Sequence, residues 1–399
     1  MIKRDFYLNQ VIAAKDTDFI KIITGIRRCG KSTLLKLFKE YLLENGVAEN
    51  NIVEINYERF QFDKLRDGKE LHAYIESKLK GQTGKGYLLL DEVQEIDNWP
   101  KVINSIRVSF DVDIYVTGSN SRVFAGEQLT YISGRYIEIK VYPLSFSEFM
   151  LFRGYDNAHK QKALQEYMRI GSFPAVALTN QSALANAVIA GLFDSIFSRD
   201  ILLRGKIRDE GAFYKVTKFV LDNIGNNISA NVIANTLKSQ GHKISVDTVD
   251  NYLTLMCNAF LLYQCERYNL RGKERLRTNG KYYVTDLGLR NHLLGYRSSD
   301  LGHVIENIVF FELKRRGYEV TTGKYDDLEV DFIGTKQEEK LYIQVSLSVM
   351  DENVLQREVK PFKMIDDKYP KILITTDDFD LSDDFFDHVN LYDFLLEVK

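Results

Sequence analysis

Residues 19–32 read FIKIITGIRRCGKS and decide the fold of this 399-residue chain. The first five residues are mostly apolar and predict a buried strand. The segment from Gly25 to Ser32 then fits the pattern G-x-x-x-x-G-K-[ST], and the residues that follow continue with helical spacing. A strand, a glycine loop and a helix in this order predict a loop that cradles phosphate groups.

The pattern assigns a role to each part of the loop. Glycines at both ends let the backbone curl so that successive N–H groups converge at the positive end of a helix dipole. Lys31 is expected to reach the β- and γ-phosphates, and the Ser32 hydroxyl is expected to hold Mg²⁺. The residues expected to contact the nucleotide are Gly25, Arg28, Cys29, Gly30, Lys31, Ser32 and Thr33. The loop therefore predicts binding of a nucleoside triphosphate.

The composition, with 45% hydrophobic and 27% charged residues, is ordinary for a soluble globular protein. The net charge of −3 means that contact with nucleic acid would need a local basic patch. Apolar runs are too short to span a bilayer, and the N-terminus has no apolar signal core, so we expect no membrane partner. The cysteines Cys29, Cys257 and Cys265 have no metal spacing, which favours a reducing cytoplasm.

A second apolar run ends in two acids. Residues 87–90 read YLLL and predict a buried parallel strand, and Asp91 and Glu92 follow directly. Asp91 is the expected Mg²⁺ partner, and Glu92 is the expected base that deprotonates the attacking water. A glutamate beside the magnesium acid suits hydrolysis of ATP, and the guanine-reading pattern Asn-Lys-x-Asp is absent. The alternative is a solvated acidic turn.

Polar residues lie at the end of the next predicted strand, residues 113–117, and directly after it. Thr117, Ser119 and Asn120 are open alternatives for a side chain that hydrogen-bonds the γ-phosphate or the attacking water. Ser119 is counted among the catalytic candidates. Serine and asparagine are also common in turns and helix caps, which is the structural alternative for this cluster.

The motifs GIRRCGKS, LLLDEVQ, VTGSNS, SGR and YPLSFSEF together resemble the AAA-plus-type ATPases of the ancient-relative branch in bacteria and archaea. The resemblance implies a parallel sheet with the phosphate loop on a central strand. It also implies a ring-like homo-oligomer in which one subunit's arginine completes its neighbour's site. Arg135, which follows Gly134, is the candidate for that arginine, and a structural ion pair is the alternative.

Patterns along the chain divide it into four segments. We expect an ATPase core at residues 1–150, a helical lid at 151–210, a winged helix at 211–298 and a nuclease-like domain at 299–399. Arg199 in the lid is either a second nucleotide sensor or a solvated helix end. The basic wing at 267–277 favours contact with DNA, whereas Asp247 and Asp250 on the presumed recognition helix favour a protein partner.

The last segment resembles the restriction-endonuclease-like fold of the PD-(D/E)XK group, which implies that Asp331 is a metal ligand and Glu306 a helper. Where an active nuclease has Glu-x-Lys, this chain has Gln344-Val345-Ser346. Glutamine is a weak magnesium ligand and no lysine remains, unless Arg357 or Lys360 on the following helix replaces it. We expect a nuclease-derived fold that is retained for binding.

The sequence thus predicts an α/β protein that hydrolyses ATP with Mg²⁺ and moves its C-terminal segments against DNA or a protein client. Two other functions stay open at this point. One is a nucleotide-gated binding switch with little turnover, and the other is a metal-dependent nuclease regulated by ATP.

Overall fold

The computed structural model describes residues 2–121, 130–203, 205–272 and 274–397, and for residues 275–279 the backbone alone. The chain forms two compact units, which are described separately. The first is Met1–Pro143 with Asn258–Phe260, and the second is Leu144–Cys257 with Leu261–Lys399.

The first unit is built around a five-stranded sheet flanked by helices. Its strands are β1 (Ile20–Thr24), β2 (Ile52–Asn56), β3 (Gly86–Asp91), β4 (Val112–Gly118) and β5 (Tyr136–Lys140). Its helices are α1 (Asp5–Ala13), α2 (Lys31–Glu44), α3 (Gly68–Leu79) and α4 (Trp99–Ser109). Short 3₁₀ turns occupy Glu49–Asn51, Phe60–Arg66 and Val93–Glu95.

All strands of this sheet are parallel, in the order β2-β3-β4-β1-β5. Strands β1 and β3 are buried along their whole length, as expected for central strands covered by helices on both faces. Because parallel strands end at the same edge, the residues that follow β1, β3 and β4 lie close together. Strand β4 lies between β1 and β3.

The second unit contains more helices. They are α5 (Phe146–Arg153), α6 (Lys160–Ile170), α7 (Pro174–Ala177), α8 (Ser182–Ser195), a π-helical segment (Ile196–Leu203), α9 (Glu210–Asp222), α10 (Ala230–Ser239), α11 (Val246–Asn258), α12 (Leu287–Leu294), α13 (Leu301–Arg315), α14 (Glu352–Met364) and α15 (Leu391–Leu396). The first of them begins with a capping box, in which Ser145 and Glu148 exchange hydrogen bonds.

Eight strands of the second unit form one mixed sheet. They are β6 (Asn227–Ile228), β7 (Leu262–Asn269), β8 (Glu274–Val284), β9 (Glu319–Tyr325), β10 (Leu328–Lys336), β11 (Glu339–Val345), β12 (Lys371–Thr375) and β13 (Asp387–Asn390). Their order is β13-β12-β11-β10-β9-β7-β8-β6. A second apolar core, including Val330, Tyr342 and Phe362, packs against this sheet.

The hairpin β7–β8 joins two parts of the second unit. Strand β7 pairs with β8 in antiparallel fashion and with β9 in parallel fashion, from Arg267↔Thr322 to Asn269↔Lys324. The segments at 211–298 and 299–399 therefore share one continuous sheet. The predicted α/β class, with a parallel P-loop sheet and a C-terminal α/β part, is confirmed.

Among the described residues, the structure has no helix with the length and apolar character needed to cross a membrane.

Candidate functional site

The loop between β1 and α2 has the curled backbone that the sequence predicts. Gly25 has φ 149° and Gly30 has φ 111°, which are conformations that favour glycine. A Cβ on Gly25 would lie 2.0 Å from the carbonyl oxygen of Val141 and 3.0 Å from Cys29 Sγ. No side chain fits at Gly25, so the loop keeps its curl only with glycine there.

Lys31 lies at the start of α2, with its side chain folded back into the loop. Its Nζ donates hydrogen bonds to the carbonyl oxygens of Gly25 at 2.9 Å and Ile26 at 3.1 Å. The residue is 3% exposed. An ammonium held at the centre of a glycine loop can exchange these carbonyl oxygens for phosphate oxygens, which are stronger acceptors because they are charged.

The two arginines of the loop have different surroundings. Arg27 is buried and its Nη1 lies 2.9 Å from Glu58 Oε1, so this arginine faces an acid. Arg28 is exposed and has φ 66°. Cys29 is fully buried, where its thiol donates to Val141 O at 3.3 Å and burial raises its pKa. The exposed arginine is therefore the one available to an incoming ligand.

The loop fits a triphosphate by its chemistry. Ser32 and Thr33 lie in the first turn of α2 and are exposed, so they are accessible at a helix N-terminus. Helix N-termini favour anions. Together with Lys31 they form a cradle of positive potential at the end of β1.

Asp91 ends β3 at the same edge of the sheet. Its Oδ1 accepts a hydrogen bond from Thr117 Oγ1 at 2.5 Å, and its Oδ2 accepts one from Asn56 Nδ2 at 2.7 Å. Burial raises the pKa of Asp91, while hydrogen bonds from the hydroxyls of Thr117 and Ser32 act in the opposite direction. The interaction with Ser32 brings the acid of β3 to the first residues of α2.

Glu92 follows with φ 62°, a left-handed backbone that turns its side chain out of the strand. Its backbone N–H donates to Thr117 Oγ1 at 2.9 Å. Its Oε2 accepts a hydrogen bond from Ser119 Oγ at 3.1 Å and another from Gln94 Nε2. The carboxylate of Glu92 is thus held by neutral donors, separately from the carboxylate of Asp91.

Two family models match the chain. Residues 17–150 match a family described as an AAA domain, and residues 161–300 match a domain of unknown function, DUF8612. An uncharacterized protein of Haemophilus influenzae is 42% identical over 377 residues, which cover 94% of this chain and 93% of that protein. The chain belongs to the same family as this Haemophilus influenzae protein, and its first part matches an AAA domain.

Other similar proteins include the uncharacterized protein MJ1544 of Methanocaldococcus jannaschii, which is 29% identical over 86% of this chain and 78% of its own length. Among solved structures, the Walker-type ATPase paby2304 of Pyrococcus abyssi gives a TM-score of 0.49 at 13% identity, over 74% of this chain and 96% of that one.

The polar residues at the end of β4 and directly after it make different contacts at this site. Thr117 contacts both acids, and Ser119 contacts the carboxylate of Glu92. Asn120, the next residue in the chain, is buried. Sequence reasoning left these three residues open. The geometry assigns the contact with the candidate base to Ser119.

Arg135 lies at the opposite edge of the sheet. It immediately precedes β5, and its carbonyl oxygen accepts a hydrogen bond from Ile20 N at the first residue of β1. Its side chain is exposed, and its Nη1 lies 3.3 Å from Tyr131 O and 3.4 Å from Asn104 Oδ1. The length of β1, about 16 Å, separates Arg135 from the loop of its own chain.

Two residues near the loop were missed by sequence reasoning. The buried guanidinium of Arg4 donates to the carbonyl oxygens of Cys29 at 2.8 Å and Tyr142 at 2.9 Å, and so joins the phosphate loop to the chain that follows β5. Nothing in the sequence around Arg4 indicates that it contacts the loop, because it lies far ahead of the motif. Asn56 contacts Asp91, and its position at the end of β2 could have revealed it.

In the second unit the structure brings Glu306, Asp331 and Gln344 together, but the basic residue beside them is unexpected. Arg357 is exposed and pairs with Glu358, and Lys360 is exposed. Lys281 on β8 lies between the acids instead. Lys281, which comes from β8, is therefore the basic residue beside these acids, and the alternative that Arg357 or Lys360 replaces the missing lysine stays a prediction.

The remaining candidates in the second unit are not assembled into a site. Arg199 is exposed within the π-helical segment, and Asp247 and Asp250 are exposed on α11. Of the basic wing, Lys273 lies outside the described residues, and so do the side chains of Arg275 and Arg277.

Proposed function

We propose that this protein hydrolyses ATP at the loop between β1 and α2, with Mg²⁺, as part of a ring-like homo-oligomer. One observation carries the proposal. Lys31 lies in the loop and helix that follow β1, and Asp91 and Glu92 lie at the end of β3. In β4, between these strands, Thr117 contacts both acids, and Ser119, which follows β4, contacts Glu92. These are the groups that phosphoryl transfer to water needs, placed at one edge of one sheet.

The residues fit a hard cation. Mg²⁺, when bound, neutralises charge on the phosphates, and the Ser32 hydroxyl and the Asp91 carboxylate would hold it. Both are oxygen ligands. Burial raises the pKa of Asp91, and the hydrogen bond from Ser32 opposes that rise. Burial favours the neutral form of Asp91, and a cation bound nearby would favour the ionised form instead.

Glu92 is the residue that we assign to proton transfer. The Ser119 hydroxyl and the Gln94 amide orient its carboxylate without adding a positive charge. Among the residues that the structure describes, none forms an ion pair with this carboxylate, and such a pair would weaken it as a base. In this role Glu92 removes the proton from the attacking water, and Lys31 stabilises charge on the phosphate oxygens.

Arg135 is proposed to act on a neighbouring subunit. Its position at the amino edge of the sheet places it about one strand length from its own loop, which exceeds the length of an arginine side chain. Exposure leaves it accessible to a second copy of the chain. An arginine supplied in trans raises phosphoryl-transfer rates by roughly 10³ to 10⁵.

Hydrolysis is proposed to drive rearrangement of the second unit against a client. The order α9, β6, α10, α11, β7, β8 is that of a winged helix. The exposed Asp247 and Asp250 on α11 would repel DNA phosphates, and so they favour a protein client. ATPase turnover measured with and without DNA distinguishes the two: stimulation by DNA that is lost at high salt would contradict the protein client.

Replacement of Glu92 by Gln tests the proposed chemistry. Glutamine keeps the size and the hydrogen bonds but cannot take a proton, so kcat should fall by about 10² to 10⁴ while the Kd for ATP stays within a few-fold. Phosphate release and fluorescent-nucleotide binding measure the two quantities.

The matched control is Glu95→Gln, the same substitution three residues later, where the carboxylate pairs with Arg66 at 3.5 Å. It should leave both quantities near the wild-type values. Unchanged turnover in Glu92→Gln would remove Glu92 from its role. Tight ATP binding by a wild type with no turnover would support the nucleotide-gated switch instead.

A further inference from the structure

Lys281 is a buried lysine in the second unit that the ATPase chemistry does not use. It lies on β8 and is 3% exposed. Its Nζ lies 2.8 Å from Glu306 Oε1, 2.8 Å from Glu329 Oε1 and 3.4 Å from Asp331 Oδ1. One ammonium therefore has carboxylates from α13 and β10 on several sides.

The strand pleat explains how these groups meet. Side chains two residues apart on a strand share a face, so Lys281 and Tyr283 project together from β8, as do Glu329 and Asp331 from β10. Tyr283 donates from its hydroxyl to Glu306 Oε1 at 2.6 Å. Both residues of β8 thus bind the same carboxylate oxygen of α13.

The carboxylate oxygens of Glu329 and Asp331 that do not contact Lys281 also accept hydrogen bonds. Asn227 Nδ2 donates to Glu329 Oε2 at 2.6 Å, and the backbone N–H of Val345 donates to Asp331 Oδ2 at 2.9 Å. Each of these acids therefore has one oxygen on Lys281 and the other on a neutral donor.

A divalent cation, which the sequence resemblance to PD-(D/E)XK nucleases implies, does not fit these residues. The amide of Gln344, at the third ligand position, accepts from the backbone N–H of Asp331 at 2.7 Å and donates to Glu358 Oε2 at 3.0 Å. Lys281 occupies the space between the acids. Within the described ranges, no three acidic, histidine or cysteine side chains are arranged to hold a metal ion.

We infer that the ammonium of Lys281 takes the place of the metal ion in this cluster and binds the β7–β8 hairpin to the C-terminal part of the sheet. The cluster is then an internal ion-pair network, and the C-terminal segment works without a metal of its own.

Electrostatics support a fixed charge at this position. Burial alone would lower the pKa of Lys281, but the carboxylates of Asp331, Glu306 and Glu329 together raise it well above its usual value. The ammonium therefore stays protonated at neutral pH. A buried charge of this kind is retained where its partners are close and hydrogen-bonded, as they are here.

The first test measures metal binding by the full-length protein without nucleotide. Free Mn²⁺ is followed by electron paramagnetic resonance, and melting temperature is recorded with EDTA and with Mn²⁺. Wild type and Asp331→Asn should bind the same amount of Mn²⁺, and Mn²⁺ should shift the wild-type melting temperature no more than that of the variant. A wild-type site or shift that disappears in Asp331→Asn would overturn the inference.

The second test removes the ammonium. Lys281→Met leaves the three carboxylates without their cation, so this variant should melt at a lower temperature than the wild type. Lys336→Met, which removes an exposed lysine of β10, is the matched control and should melt near the wild-type temperature. A Lys281→Met protein as stable as its control would contradict the inference. If Lys281→Met does not fold, the first test decides.

Discussion

Asp91 and Glu92 are neighbours in sequence but have different surroundings. Asp91 is bound by the side chains of Thr117 and Asn56, and burial raises its pKa. The carboxylate of Glu92 is bound by Ser119 and Gln94. Two adjacent carboxylates with separate partners can perform separate tasks, one at the cation and one at the attacking water.

The sequence predicts roles for these two acids, but it does not predict which polar residue near the end of β4 contacts each of them. Thr117, Ser119 and Asn120 are all polar and lie at or just after the end of a buried strand, so residue type alone does not distinguish them. The distinction comes from the left-handed backbone at Glu92, which directs its side chain to Ser119 while its N–H reaches Thr117. That conformation has no signature in the motif.

Arg4 gives a prediction at the residue scale. Arg4→Ala removes the donor that the buried carbonyl oxygens of Cys29 and Tyr142 share, and each such hydrogen bond contributes about 1–2 kcal/mol. The free energy of unfolding should fall by roughly 2–4 kcal/mol, and ATP affinity should fall because the loop loses an anchor. Urea denaturation and nucleotide titration measure the two effects.

Lys3→Ala is the control, because Lys3 is the exposed neighbour. If Arg4→Ala binds ATP as tightly as Lys3→Ala does, Arg4 supports the fold and has no part in shaping the loop.

At the scale of elements, β1 contains a lysine where its pattern predicts an apolar interior. Lys21 is fully buried and forms an ion pair with Asp113 of β4, which also accepts from Tyr115 Oη at 2.9 Å. Sequence periodicity cannot reveal this pair, because the two residues belong to strands that are far apart in the chain. The pair fixes β1 against β4, and these strands end at the site.

Breaking that pair from one side should be costly. Lys21→Met leaves Asp113 buried without its ammonium, and the free energy of unfolding should fall by about 3–5 kcal/mol. The double variant Lys21→Met/Asp113→Leu should recover much of the loss, since no charge is then buried. Lys36→Met, on the exposed face of α2, is the control in urea denaturation. A single variant as stable as its control would contradict this role for the pair.

The hairpin β7–β8 shows a second limit of sequence reasoning at this scale. Local patterns place strands near residues 260–265 and 281–284, and the structure has both strands, with longer bounds. They do not reveal that β7 pairs with β9, because pairing between distant strands depends on tertiary packing. The buried position of Lys281 was missed for a similar reason, because its partners Glu306, Glu329 and Asp331 are distant in sequence.

At the scale of the whole molecule, the sequence predicted the α/β class because the phosphate-loop motif, its flanking strand and its helix agree with one another. The client of the second unit could not be read in this way, since function depends on particular surface groups and one fold serves many partners. Assembly is proposed here from the exposure and position of Arg135.

The central claim is that ATP is hydrolysed at a phosphate loop that a neighbouring chain completes. Phosphate release from Mg²⁺-ATP by mixed variants tests it most directly. Lys31→Ala and Arg135→Ala should each be inactive alone, and an equal mixture should recover about a quarter of the wild-type rate, because a quarter of random interfaces join two intact residues. A wild type that releases no phosphate, or mixtures that recover nothing at any ratio, would contradict the claim.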